Sequence, residues 1–80
     1  MPVHILVIPK KHIESIVDVE TEDEILVGKI FTAIKKIAHD IGIDKTGFRV
    51  ISNCGQDAGQ TVKHLHFHVL AGEKMDERIV

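Results

Sequence analysis

Val62-Lys63-His64-Leu65-His66-Phe67-His68-Val69-Leu70-Ala71 alternates with a period of two. In an extended chain successive side chains point to opposite faces. Val62, His64, His66, His68 and Leu70 then share one face, and Lys63, Leu65, Phe67, Val69 and Ala71 share the other. Leu65, Phe67 and Val69 have the character of a buried layer. The expectation is a strand over 62–71 with a core on one side and three imidazoles displayed on the other.

The neighbouring segments give that strand its partners. Gly47-Phe48-Arg49-Val50-Ile51-Ser52-Asn53 reads as a second strand. Between the two lies Cys54-Gly55-Gln56-Asp57-Ala58-Gly59-Gln60-Thr61, a loop of small and polar residues, so the pair is expected as a hairpin. Val3-His4-Ile5-Leu6-Val7-Ile8-Pro9 is a short apolar run closed by proline, and predicts a buried strand. Lys10 to Val19 reads as a loop with one helical turn around Ile13 to Val17.

A long helix is predicted from Thr21 to Gly42. Thr21-Glu22-Asp23-Glu24 fits a capping box, and its acids suit the positive end of the helix dipole. Leu26, Ile30, Ala33, Ile34, Ile37 and Ile41 recur on one face. Ile25, Val27, Phe31 and Ala38 widen it. That width fits burial on two sides, against a sheet and a second copy, and equally fits one well-buried helix. Gly42 is the expected C′ residue. Gly72 to Val80 reads as a charged tail with Met75 and Ile79 as apolar anchors. The elements predict an α+β layer, one antiparallel sheet packed on one long helix, as a single domain over 1–80.

Composition excludes several classes. Eighty residues allow one domain. Ten Lys and Arg against twelve Asp and Glu give a net charge of -2, without the basic field of a nucleic-acid protein. One cysteine, Cys54, excludes an internal disulfide framework. No apolar run approaches the ~20 residues of a membrane span. No secretory signal is evident, and a reduced, cytoplasmic setting is the default expectation.

The histidine row admits two kinds of chemistry. Same-face residues of a strand lie ~6.8 Å apart, so a neighbouring pair can share a metal with a third ligand such as His4 or His12. The outer two lie ~13 Å apart, too far for all three to converge easily. The other use is catalysis, because a neutral imidazole is a nucleophile or base near neutral pH. Gly55, Ala58 and Gly59 just ahead can turn backbone N–H groups inward as an anion nest, with Asn53 and Thr61 adding neutral donors. Nearby anion-binding N–H groups would also lower the Cys54 pKa; an ordinary small loop residue is the plainer reading.

His64-Leu65-His66-Phe67-His68-Val69-Leu70-Ala71 resembles the His-φ-His-φ-His-φ-φ signature of the histidine triad (HIT) family, particularly its Hint branch of nucleoside phosphoramidases. Gly59-Gln60-Thr61, Asn53 and the run Val3 to Ile13 extend the resemblance over nearly the whole chain. It implies a nucleotide hydrolase or transferase acting at the α-phosphorus on phosphoramidate or phosphoanhydride bonds, with no metal or cofactor. His66 matches the nucleophile that forms a nucleotidyl-histidine intermediate. The His64 carbonyl would take the Nδ1 proton of His66, and His68 would hold phosphate oxygens and assist the leaving group. Asn53, Gly59, Gln60 and Thr61 match the substrate-contacting segment, and His4 a supporting histidine behind the triad. His12 and His64 match positions that complete a zinc site in members with an amino-terminal CxxC, which this sequence lacks. The implied partners are a purine nucleotide-type small molecule and a second copy, with neither nucleic acid nor membrane.

The family pattern includes an amino-terminal segment with a hairpin and an apolar base pocket, and this sequence opens within the pattern at Met1-Pro2-Val3. The expectation is therefore a partial domain, truncated at the N-terminus, with an open apolar strand edge and weakened hold on the nucleoside. Two alternatives follow: a catalytically impaired nucleotide-binding module, and a His-metal protein.

Overall fold

The computed structural model describes residues 2–76. Glu77, Arg78, Ile79 and Val80 of the expected tail lie outside the described residues. Three strands, β1 (Val3–Val7), β2 (Arg49–Ile51) and β3 (Phe67–Ala71), form an antiparallel sheet in the order β1-β3-β2. A single long helix, α1 (Glu24–Ile41), covers one face of it. This is the expected α+β layer.

β3 is central and is laddered on both sides. Val3 pairs with Ala71 and Val7 with Phe67 on one side; Arg49 pairs with Leu70 and Ile51 with His68 on the other. The strand is shorter than the expected 62–71. β1 ends at Val7, and Pro9 beyond it has no N–H to offer a ladder. The preceding residues are fixed by other bonds instead, including Leu65 N–H to the Ile13 carbonyl at 2.6 Å. Alternation nevertheless persists from 64 to 71. Leu65, Phe67, Val69 and Ala71 are buried, and His64, His66, His68 and Leu70 are half-buried on the opposite face. Lys63, expected on the inner face, is exposed.

The core joins those four strand residues to Ile30, Ile34 and Ala38 of α1, with Ile13 and Ile43 closing the ends. Val3, Ile5 and Val7 of β1 pack against it, which turns His4 and Leu6 to the histidine face. The buried stripe of α1 is narrower than its apolar surface. Ala33 and Ile41, expected on the main face, are exposed, as are Ile25 and Phe31. A three-stranded sheet is too small to cover a stripe that wide.

The helix start also differs from expectation. Thr21–Asp23 forms one 3-10 turn, and the capping box lies at Glu20 and Asp23. The Glu20 N–H donates to Asp23 Oδ2 at 3.0 Å. The shift follows from Lys11, whose ammonium sits 2.5 Å from Asp23 Oδ1. That partner lets a carboxylate only 3% exposed remain ionised. The Lys11 hydrogen bond and the Glu20 N–H hold the Asp23 pKa below the usual carboxylate value. A lysine from the turn after β1 thus fastens the helix start. At the other end Gly42 adopts φ +82° and closes α1, as expected. The turn within Lys10 to Val19 falls at Ile16–Asp18, just past the expected position.

Gly72 leaves β3 with φ +99°, and a Cβ built there would lie 2.9 Å from Pro2 Cβ. Both the backbone conformation and the contact require glycine. Gly72→Ala is expected to lower stability by roughly 1–3 kcal/mol in chemical denaturation, with the histidine face unchanged in NMR spectra.

Candidate active site

The site occupies the sheet face away from α1. β3 carries His68, the residues leading into it carry His64 and His66, and β1 adds His4 and Leu6. The β2–β3 ladder ends at Ile51 and His68, two residues short of Asn53 and His66.

His66 is held at both ring and backbone. Its Nδ1 lies 2.7 Å from the His64 carbonyl oxygen, the acceptor named by the family resemblance. A carbonyl can only accept, so Nδ1 carries the proton and Nε2 keeps its lone pair. The Ser52 hydroxyl donates to the His66 carbonyl at 2.8 Å. Sequence reading missed Ser52. Counting the hairpin pairing outward from Ile51 and His68 would have placed it near this backbone.

His64 turns its ring elsewhere. Its Nε2 lies 3.0 Å from the Pro9 carbonyl and donates to it. The His12 ring meets it edge-on with centroids 5.0 Å apart. This histidine anchors the segment after β1, and its carbonyl serves His66.

His68 sits between Leu6 on β1 and Ile51 on β2 in the sheet register. Its Nδ1 is 2.8 Å from His4 Nε2, and its ring is 5.0 Å from that of His66. Burial between those strands, followed by the proximity of His66 and His4, pushes its pKa below the ordinary histidine value. The bond to His4 occupies His68 Nδ1 and leaves Nε2 as the ring nitrogen with no protein partner among the described residues.

The loop before the triad is built differently from the expected nest. A 3-10 turn at Gln56–Ala58 winds it tightly. The Gly59 N–H donates to the Gln56 carbonyl at 3.0 Å, and the Gln60 N–H to the Gly55 carbonyl at 3.1 Å. The Gly55 N–H donates to Gln60 Oε1 at 2.9 Å. The amides of Gly55, Gly59 and Gln60 are thus satisfied inside the loop, and the nest is corrected accordingly. Gly59 supplies a turn at φ +79° that side chains disfavour. Asn53 and Thr61 form no hydrogen bond among the described residues, so their donors are free.

Cys54 is half-buried beside this loop. Its pKa is lowered by the Ser15 hydroxyl and then by the backbone N–H groups of Val17 and Ile16, so the cause lies in the segment after β1. Beside the triad, Leu6, Ile8, Val62, His64 and His66 line a shallow, mostly apolar hollow of about 230 Å³. The metal alternative required a pair of triad rings plus His4 or His12. No group of three or more metal-ligating side chains is found among the described residues. His4 bonds His68 and His12 packs on His64 instead.

Similarity to known proteins identifies the family. The family model for the HIT domain matches residues 1–75. A histidine triad protein from Clostridium difficile is 53% identical, and its structure superposes with a TM-score of 0.92 over 96% of this chain and 67% of that one. A HIT family hydrolase from Legionella pneumophila Philadelphia 1 is 41% identical, also with a TM-score of 0.92, over 95% and 68%. An uncharacterized HIT-like protein of Chlamydia muridarum is 46% identical over 71 residues, 89% of this chain and 56% of that protein. The chain belongs to the HIT domain family. It spans 56% and 63% of the length of two curated chlamydial relatives.

Replacing His4 removes a neighbouring charge and uncovers part of the His68 ring. His4→Ala is therefore expected to raise the His68 pKa toward the ordinary histidine value. An NMR titration of the ring protons checks this, and a downward or absent shift contradicts the assignment.

Proposed function

We propose that this chain carries the reaction centre of a HIT-type nucleotide hydrolase or transferase. The reaction is cleavage of a phosphoramidate or phosphoanhydride at the α-phosphorus of a nucleoside monophosphate derivative. The observation that carries the reading is His66: Nδ1 is engaged by the His64 carbonyl, which leaves the lone pair on Nε2.

In this reading His66 Nε2 attacks the phosphorus as the bond to the leaving group breaks. The leaving nitrogen or oxygen takes a proton from Nε2 of His68 in its protonated form, which reverts to the neutral imidazole. Water then attacks the nucleotidyl-histidine, its proton returns to His68, and the nucleoside monophosphate departs. Splitting one displacement into two lowers each barrier. Asn53 and the Thr61 N–H and hydroxyl hold the equatorial oxygens, and Gly59 shapes the turn that presents Thr61. His4, bonded to His68 Nδ1, holds that ring with Nε2 turned to the reacting group. All of these groups other than the histidines are neutral, so charge on phosphorus is met by aimed dipoles.

A second reading is a nucleotide-binding module with little turnover. The hollow beside His66 favours it, since about 230 Å³ falls below the ~300–1,000 Å³ of small-molecule sites. A purine held loosely there would leave the phosphorus poorly aligned for in-line attack. His66→Ala separates the two readings. Turnover of an adenosine phosphoramidate that falls to background in this variant, with AMP binding retained, supports the enzyme. A parent chain that binds AMP without turnover supports the module.

The assembly in this reading is a homodimer. Phe31 is 51% exposed, Ile25 and Ile41 are also uncovered, and both outer edges of the sheet are open among the described residues. Gel filtration with light scattering is expected to give twice the chain mass, and a clean monomer contradicts the assembly.

A further inference from the structure

One side chain holds the loop ahead of the triad from within. Gln60 Oε1 accepts the Gly55 N–H at 2.9 Å. Its amide nitrogen donates to the Glu14 carbonyl at 2.8 Å and to the Val62 carbonyl at 3.0 Å. A primary amide has two N–H donors, and both are used. The backbone closes the same ring from the other side, with the Gln60 N–H on the Gly55 carbonyl. Residue 60 therefore grips the start of the loop twice. It also reaches the segment after β1 and the residues that lead into the triad.

Thr61 is the next residue, and its N–H and hydroxyl form no hydrogen bond among the described residues. Its position relative to His66 depends on where the loop is fixed against Glu14 and Val62. Those two attachments are made by the Gln60 side chain.

We propose that Gln60 is a positioning residue of the site: its side chain braces the Gly55–Val62 loop against Glu14 and thereby holds the Thr61 donors where the phosphate oxygens sit, without touching the phosphate. This revises its place among the substrate-contacting residues, and it rests on the reading of the site as a nucleotidyl-transfer centre. The chemistry requires a primary amide of this length. Glutamate offers oxygen where two carbonyls need donors, and asparagine is one methylene too short to span the same three groups.

The test compares the full chain with its Gln60→Ala and Gln60→Glu variants, using adenosine 5′-phosphoramidate as substrate and AMP as ligand. Gln60→Ala is expected to slow single-turnover nucleotidylation of His66 by about 10²-fold, the scale of a small misplacement, while AMP affinity barely changes. Gln60→Glu is expected to be as slow at pH 8. Its rate relative to the parent at the same pH then rises through the glutamic acid range, because a protonated carboxyl regains one donor. Loss of AMP affinity matching the loss of rate would mean that Gln60 contacts substrate directly, and would overturn the proposal. So would an unchanged rate.

Amide hydrogen exchange at Gly55, read by NMR, gives an answer independent of turnover. Protection in the parent and its loss in Gln60→Ala is expected; unchanged exchange removes the brace. An inactive parent that does not bind AMP refutes the transfer centre and the catalytic half of this proposal, while Gly55 exchange still decides whether the brace exists. An active parent with neither rate nor exchange altered in Gln60→Ala refutes the brace alone.

Discussion

The bond from His66 Nδ1 to the His64 carbonyl is the constraint on which the site depends. It links a side chain to a backbone group two residues earlier, so it exists only while the backbone of residues 64–66 keeps its present conformation. No ladder enforces that conformation, since β3 begins at Phe67. Leu65 enforces it from the other face, with its side chain in the core and its N–H on the Ile13 carbonyl. Ser52 adds a hold on the His66 carbonyl. Burial of one residue thus sets the tautomer of its neighbour, and the tautomer decides which nitrogen can form a bond.

The rest of the molecule serves that short segment. β1 and β2 clamp β3 from both sides, and α1 presses on its inner face. Lys11 and Asp23 join the turn after β1 to the start of α1, and His64 reaches the Pro9 carbonyl in the same turn. The segment after β1 is therefore tied to the helix, to the triad and, through Glu14, to the loop. It has little regular structure of its own and acts as a joint where three parts meet.

Much of this was legible in the sequence because period-two patterning is a local signal. The alternation from His64 to Ala71 gave the two faces correctly, and the β-branched runs gave the strands. The length of the last strand was not legible, because a strand ends where its partners end, and that depends on Pro9 and on the short β2. The helix cap moved by one residue because Lys11, twelve positions earlier, chose Asp23. The apolar width of α1 was visible, but how much of it three strands could cover was not. The Gly-rich loop suggested open N–H groups, whereas its amides are used internally. Composition reveals which residues can turn, and only coordinates reveal what their amides meet. Ser52 and the bracing bonds of Gln60 escaped notice for the same reason, since long-range hydrogen bonds to backbone leave no periodic trace.

The central position of β3 has a consequence for how such a segment tolerates genetic change. Substitutions between His64 and Ala71 act on one face at a time and leave the other in place. A single-codon insertion or deletion in that stretch does not. It would rotate every later side chain by half a turn, driving imidazoles into the hydrocarbon interior and leucine, phenylalanine and valine into water. Reading frame aside, the spacing of these eight residues is as strictly limited as their identity.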